Sequence, residues 1–291
     1  RAKAKDLYGD NKEFYNEDRF ILEKHWEPKS TNFKIFQSIL QKINKVDFVC
    51  YASYGRPSNE EENKIIKILQ NQLNNPPYFF DISQHHIYHA LTSFYFSQYK
   101  KAVAIVVDGA GALIKKQNPF REFESIYCVN EKNIYSIYKH GSNRLDQHKE
   151  FCTELKISKY IDGVFTHLSQ KAIGGRAFVE ACLAIDMKPD EAGKLMGLSS
   201  YKYSKNKYEL DYNKIKIAAE VQEKTFLETC NLIEIAKNYG NNILLSGGYF
   251  LNCSNNFKYV KKYPKLNFFV DPIPNDAGTC IGACLYHEHY K

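Results

Sequence analysis

Three of the nine histidines fall within five residues, in Gln84-His85-His86-Ile87-Tyr88-His89. His85 and His89 are four positions apart, so on a helix their imidazoles lie on one face about one turn apart, and two ligands are pre-positioned for one ion. The same spacing suits a polar helix face or a pair of satisfied core histidines. A zincin needs Glu directly after the first histidine, and His86 stands there, which disfavours a thermolysin-like protease. Asp108 follows the apolar run Ala102 to Val107. There a carboxylate leaves the core at the carboxyl end of a strand, and Gly109 and Gly111 permit close backbone approach to a ligand. Asp-Gly is equally a common turn pair. Asp276, after Pro274-Asn275, stands at the expected N-cap of the last helix. Small residues from Ala277 onward leave that end approachable, and free N–H groups there favour anions. Ser246-Gly247-Gly248, followed by Asn252, forms a loop whose amides suit a phosphate or a nucleotide. Glycines flank Lys194 without the GxxxxGK[ST] spacing, so a Walker-type ATPase is not supported.

These residues need elements to carry them. Thr31 can cap a helix with Phe33, Phe36, Leu40 and Ile43 on its apolar face, and Val46 to Ala52 then reads as a buried strand. Ser58 and Glu61 form a capping box for a second helix, with Ile65, Ile66, Ile68, Leu69 and Leu73 facing inward before Pro76 and Pro77 stop it. A third helix over Ser83 to Tyr99 places the histidines and runs into the strand Ala102 to Val107. Strands at 112–116, 126–130 and 134–139 suggest a sheet built by hairpins. Helices are expected near 146–156, 174–187 and 212–238, the last capped by Gly240. Strands at Asn242 to Leu245 and Asn267 to Val270 precede a final helix from Asp276. This alternation favours an α/β fold.

Composition narrows the class. At 291 residues, 44% apolar and 14% aromatic, the chain is too hydrophobic for disorder and long enough for two lobes. The formal charge of +7 is scattered rather than blocked, which gives no nucleic-acid signature. Eight cysteines without CxxC pairs read as reduced thiols. No segment resembles a signal peptide or approaches the ~20 apolar residues of a membrane span, so a cytoplasmic protein without membrane association is expected.

Taken together, the segments resemble the carbamoyltransferase family of the NodU/CmcH/TobZ type, whose catalytic domain is related to the TsaD-type tRNA threonylcarbamoyl transferases. Glu17-Asp18-Arg19-Phe20 with Lys24-His25 is similar to EERF…KH, His85 to Ala90 to HHxxHA, and Asp108 to Gly111 to DGxG. Gly193 to Leu198 with Tyr201 is similar to GKxMGLxxY. Gly247-Gly248 with Leu251-Asn252-Cys253, and Asp276 to Thr279 with Gly282-Ala283, complete the ordered set.

The resemblance implies an actin/sugar-kinase-like (ASKHA, ribonuclease H-like) two-lobed α/β fold. Lobe I would comprise about 1–100 plus the final helix 277–289, and lobe II about 101–275. It implies one divalent metal, Fe(II) with Zn or Mn as alternatives, held by His85, His89, Asp108 and Asp276, which are also the catalytic set. The nucleotide would be held by Gly109, Gly111, Lys194, Gly247, Gly248 and Asn252. The reaction implied moves a carbamoyl group from carbamoyladenylate, made from ATP and carbamoyl phosphate, to a hydroxyl of a small-molecule acceptor. Two departures stand out: Arg1 to Asn16 has nothing similar to the family's GHDxS loop, and no YrdC-like activating domain follows, so that domain is expected on another chain or a missing segment. The competing expectations are a non-catalytic nucleotide-binding relic of the fold and a tRNA threonylcarbamoyl transferase-like enzyme. Acceptor determinants are expected in the least patterned stretch, about 117–172.

Overall fold

A computed structural model describes residues 2–3, 13–14, 45–52, 58–73, 75–114, 120–142, 157–161, 163–169, 173–203 and 211–291. The expected helix after Thr31, the segments Glu17 to Phe20 and Lys24-His25, and the expected helix near 146–156 lie outside the described residues. The chain divides into two compact units, one of Arg1–Val49 with Arg56–Phe79 and the other of Cys50–Gly55 with Phe80–Lys291.

In the first unit, β1 (Ala2–Lys3) pairs antiparallel with β2 (Glu13–Phe14). Helix α1 (Asn59–Gln72) opens with the expected capping box. Ser58 Oγ accepts the Glu61 N–H at 3.2 Å, and Glu61 Oε2 accepts the Ser58 N–H at 3.1 Å, so two donors that a helix start leaves open are satisfied. Ile65, Leu69 and Leu73 are its buried face. Strands β3 (Val49–Tyr51) and β4 (Tyr78–Phe80), each with residues assigned to both units, form a two-stranded pair. The first is shorter than the strand expected over Val46 to Ala52.

In the second unit, a 3-10 turn (Ile82–Gln84) leads into α2 (His85–Ser97), which runs into β5 (Lys101–Val107). Strands β6 (Arg121–Asn130) and β7 (Ile134–Ser142) return antiparallel as hairpins. Next come β8 (Ile157–Ile161), β9 (Val164–Ser169), α3 (Gly174–Ala184), α4 (Ala192–Ser199) and α5 (Tyr212–Ala236). The chain ends through β10 (Asn242–Ser246), α6 (Cys253–Lys262), β11 (Asn267–Val270) and α7 (Thr279–Leu285). The seven strands form one mixed sheet in the order β11-β10-β5-β6-β7-β9-β8. Strands β5, β10 and β11 are parallel, and β9 is parallel to β7, so five strands end on one edge.

Every residue of β5 after Lys101 is buried, as expected of a central strand covered on both faces. Ala102, Ala104 and Val106 face Ala90, Leu91 and Phe94 of α2. Val103, Ile105 and Val107 face α3 and α5, where Phe178, Ile233 and Tyr249 fill the opposite core. The parity of β5 therefore sends Asp108, one step past the strand, to the α2 face.

Several boundaries differ from expectation. Of the strand expected at 112–116, only 112–114 are described, where Leu113 makes a single bridge to Arg121, while β6 and β7 extend to meet each other at Ser142. Helix α3 stops at Ala184 because Asp186 adopts a left-handed φ of 62°. Helix α5 ends at Ala236, before Gly240, which keeps a negative φ and is no left-handed cap. The seven described cysteines are free thiols. Among the described residues no helix is long and apolar enough to cross a membrane.

Candidate metal centre

The histidine helix, the end of β5 and the turn before α7 converge. One donor atom from each of His85, His89, Asp108 and Asp276 lies within 4.8 Å of every other. His85 Nε2 is 3.2 Å from Asp108 Oδ2 and 3.5 Å from Asp276 Oδ1, and His89 Nε2 is 3.7 Å and 3.4 Å from the same two oxygens. The histidines and Asp108 are buried, whereas the Asp276 side chain is half exposed and marks the open side. Donors around an ion at about 2.0–2.2 Å must lie about 3–4.5 Å apart, and the four His–Asp separations fall in that range.

Local structure explains each placement. The four-residue spacing on α2 stacks the two imidazoles, with ring centroids 4.9 Å apart. Asp108 is fixed by Gly248, whose N–H donates to Asp108 Oδ1 at 3.1 Å. Gly247 makes this approach feasible: its φ is +97°, and a Cβ there would stand 2.2 Å from the Val107 carbonyl oxygen. Asp276 is delivered by the short helix α7, which packs its Gly282 against the Tyr88 backbone of α2. Thr92 Oγ1 donates to the Gly278 carbonyl at 2.8 Å and ties the same turn to α2.

The charges are interlocked. Burial works against a proton on His85, but hydrogen bonding to Asp108 and the field of both carboxylates hold its pKa up to about 10. His89 is raised by the nearby Asp108 and Asp276 carboxylates against the same burial. Although burial opposes it, Asp108 is held well below the usual carboxylate range by the two imidazoles. Asp276 is lowered too, with burial and Asp108 opposing the histidines. Protons on the imidazoles thus occupy the charge role that a cation bound by neutral imidazoles and two carboxylates would take over. His89 Nε2 forms no hydrogen bond although two carboxylate oxygens stand within 3.7 Å, and His85 Nδ1 and His89 Nδ1 are buried without partners. A donor atom close to two acceptors yet misaligned for hydrogen bonding fits coordination, and His2Asp2 suits a divalent transition metal.

Of the six expected nucleotide residues, Gly247 and Gly248 border Asp108, and Gly109 borders open space where a Cβ would meet nothing. Gly111 instead makes room for His86, since a Cβ there would lie 2.5 Å from its Nε2. The Asn252 amide is engaged with Gln222 at 3.0 Å in both directions and caps α6 through the Asn255 N–H. Lys194 is placed on the exposed side of α4, 2.5 Å from Glu191.

Sequence reading missed the network behind the centre. His86 Nδ1 lies 2.9 Å from Ser125 Oγ, which donates to Glu122 Oε1 at 2.5 Å, and Lys139 Nζ is 3.0 Å from the same carboxylate. Burial pushes His86 down to about 4, so it is neutral, while Glu122 is lowered to about 2 against its burial by His86 and Lys139. Asp271, at the end of β11, accepts from Ser246 Oγ at 2.7 Å and from the Ile273 N–H, holding the Gly247-Gly248 loop. The pair Glu122 and Glu124 inside an otherwise apolar strand was the available signal.

Residues 200–285 match the family described as Carbamoyltransferase N-terminus. Over 289 residues the chain is 27% identical to an uncharacterized protein, MJ1051, of Methanocaldococcus jannaschii, covering 93% of this chain and 52% of that one. Full-length HypF in its phosphate- and nucleotide-bound form has a TM-score of 0.57 at 15% identity, covering 89% of this chain and 50% of HypF. HypF of T. kodakarensis has a TM-score of 0.50 at 15% identity, covering 84% and 40%. These structural likenesses are likenesses of fold, shared with the covered part of HypF. The chain spans about half the length of MJ1051 and of the first HypF structure.

Proposed function

We propose, from the match of residues 200–285 to the family described as Carbamoyltransferase N-terminus, transfer of a carbamoyl group from carbamoyladenylate to a hydroxyl of a small-molecule acceptor, at a single divalent cation. The acceptor oxygen attacks the carbamoyl carbon and gives up its proton to solvent, and AMP leaves as the bond from its phosphate oxygen to that carbon breaks. The cation, Fe(II) with Zn or Mn as alternatives, would be held by His85, His89, Asp108 and Asp276 and would supply Lewis acidity toward the carbamoyl or phosphate oxygens. Asp108 would serve twice, as ligand through one oxygen and as acceptor of the Gly248 N–H through the other, which couples the nucleotide-side loop to the metal side. Gly109, with open space over it, and the Gly247-Gly248 backbone would face the adenylate. The carbamoyladenylate would come from a YrdC-like activity acting on ATP and carbamoyl phosphate.

The observation that carries the reading is the convergence of four donors from three distant segments at 3.2–3.7 Å. Its test is AMP release from synthetic carbamoyladenylate, with a panel of sugars and polyols as acceptors and mass spectrometry of products. The metal-loaded chain should release AMP and carbamoylate an acceptor, with both falling at least a hundredfold in His89→Ala and Asp276→Ala. A folded, metal-loaded chain that releases AMP no faster than the variants would overturn the reading in favour of a non-catalytic relic.

A further inference from the structure

A second cluster of reactive side chains takes no part in the proposed transfer. Glu124 on β6, His140 on β7 and Ser169 on β9 are all buried. Glu124 Oε2 lies 3.1 Å from His140 Nδ1, and His140 Nε2 lies 2.8 Å from Ser169 Oγ. The sheet builds this line directly: Glu124 stands opposite His140, and His140 opposite His167, two residues before Ser169 on the same face of β9. A carboxylate accepting from Nδ1–H fixes the tautomer in which Nε2 is bare, and bare Nε2 then accepts the Ser169 O–H. Carboxylate, imidazole and hydroxyl in that order are the parts of an activated serine nucleophile.

Location separates this trio from the metal centre. Strands β5, β7 and β9 run in one direction, so Ser169, the last residue of β9, lies on the same carboxyl edge as Asp108. That edge is where α/β sheets receive ligands. Three ladder steps at ~4.8 Å put β9 about 14 Å from β5. Glu124 also shares its row with Val107, on the face opposite Asp108. No single reacting atom can touch both groups. A role confined to satisfying buried polar atoms accounts poorly for the trio, because Glu124 Oε1 is itself buried without a hydrogen-bond partner among the described residues. A network kept only for stability would be replaced at less cost by apolar side chains.

We propose that Ser169 is the nucleophile of a second, esterase-type site, with His140 as its base and Glu124 as the residue that orients the base, acting on small uncharged carboxylic esters. Ser169 Oγ bonds to the acyl carbon as the bond from that carbon to the alcohol oxygen breaks. The Oγ proton passes to His140 Nε2 and on to the departing alcohol. Water then gives one proton to Nε2 and its hydroxyl to the acyl carbon, the bond from that carbon to Oγ breaks, and Oγ takes the proton from Nε2, so ester and water yield acid and alcohol.

The test uses the full chain with p-nitrophenyl acetate and with a fluorophosphonate, followed by peptide mapping. Ser169 should carry the phosphonyl group, and p-nitrophenol release should fall at least a hundredfold in Ser169→Ala and His140→Gln. His89→Ala should keep both reactivities, so failure of the carbamoyl reading leaves this outcome unchanged. No label on the folded wild-type chain, or a label that maps to another residue, would reduce the trio to a buried hydrogen-bond chain; this mapping needs no variant to fold.

Discussion

His86 stands between the two candidate ligands on α2 and binds neither carboxylate of the quartet. Its imidazole reaches across to Ser125 and, through it, to Glu122 and Lys139, so the helix turn that presents His85 and His89 is pinned to β6. Partners that fix a ligand's orientation commonly contribute 10–100-fold to metal affinity. The Glu122 carboxyl titrates far below its unfolded value near 4.3, at about 2. A depressed carboxyl contributes stability that is present above about pH 4.3 and is lost as pH falls through about 2. Glu122→Gln should therefore cost about 3 kcal/mol at pH 7 and flatten the pH dependence of unfolding between about 4.3 and 2, as read by chemical denaturation across that range. Local patterns, histidines one helical turn apart and aspartates at element ends, singled out the four quartet residues one by one, and only the resemblance joined them into one set. His86's partner is 39 residues away on a neighbouring strand, and no spacing rule reports that.

Among the elements, α7 is short yet decides where Asp276 stands. A Cβ on Gly282 would lie 1.9 Å from the Tyr88 carbonyl oxygen, so a side chain there forces α7 away from α2. Gly282→Ala should lower stability by about 3 kcal/mol or more. It should also weaken cation uptake at least tenfold, measured by competition with a metal-binding dye. The helices and the central strands were readable because amphipathic periodicity, the Ser58–Glu61 box and the buried run of β5 are strong signals. Strands β8 and β9 were not: Ile157–Ile161 and Val164–Ser169 mix Lys, His, Ser and Thr with their apolar residues, and pairing to the edge of β7 decides their conformation. Lys194, which only the resemblance linked to the nucleotide, stands on an exposed helix face with its ammonium 2.5 Å from Glu191.

At the scale of the whole molecule, the quartet joins α2, β5 and the approach to α7, so a bound cation would cross-link both sides of the turn that ends the sheet. A ligand held only by the folded state stabilises by about 2.7 kcal/mol at a hundredfold excess over Kd. For a unit of this size that is about 5–10 °C in Tm, at about 2–4 °C per kcal/mol. Differential scanning fluorimetry with Co(II) or Zn(II) should show that shift in the wild-type chain and little of it in His89→Ala. A specific fold was expected only through the ordered motifs, because periodicity alone specified alternating strands and helices and left strand order open.

The central claim, that four side chains share one cation, is tested most directly by metal stoichiometry. Equilibrium dialysis of the full chain against Co(II), with elemental analysis and the visible d–d spectrum, should give one ion per chain. That ion should be lost in His89→Ala and in Asp276→Ala, with folding unchanged by circular dichroism. A wild-type chain that retains no ion, or variants that retain it with the same spectrum, would contradict the account.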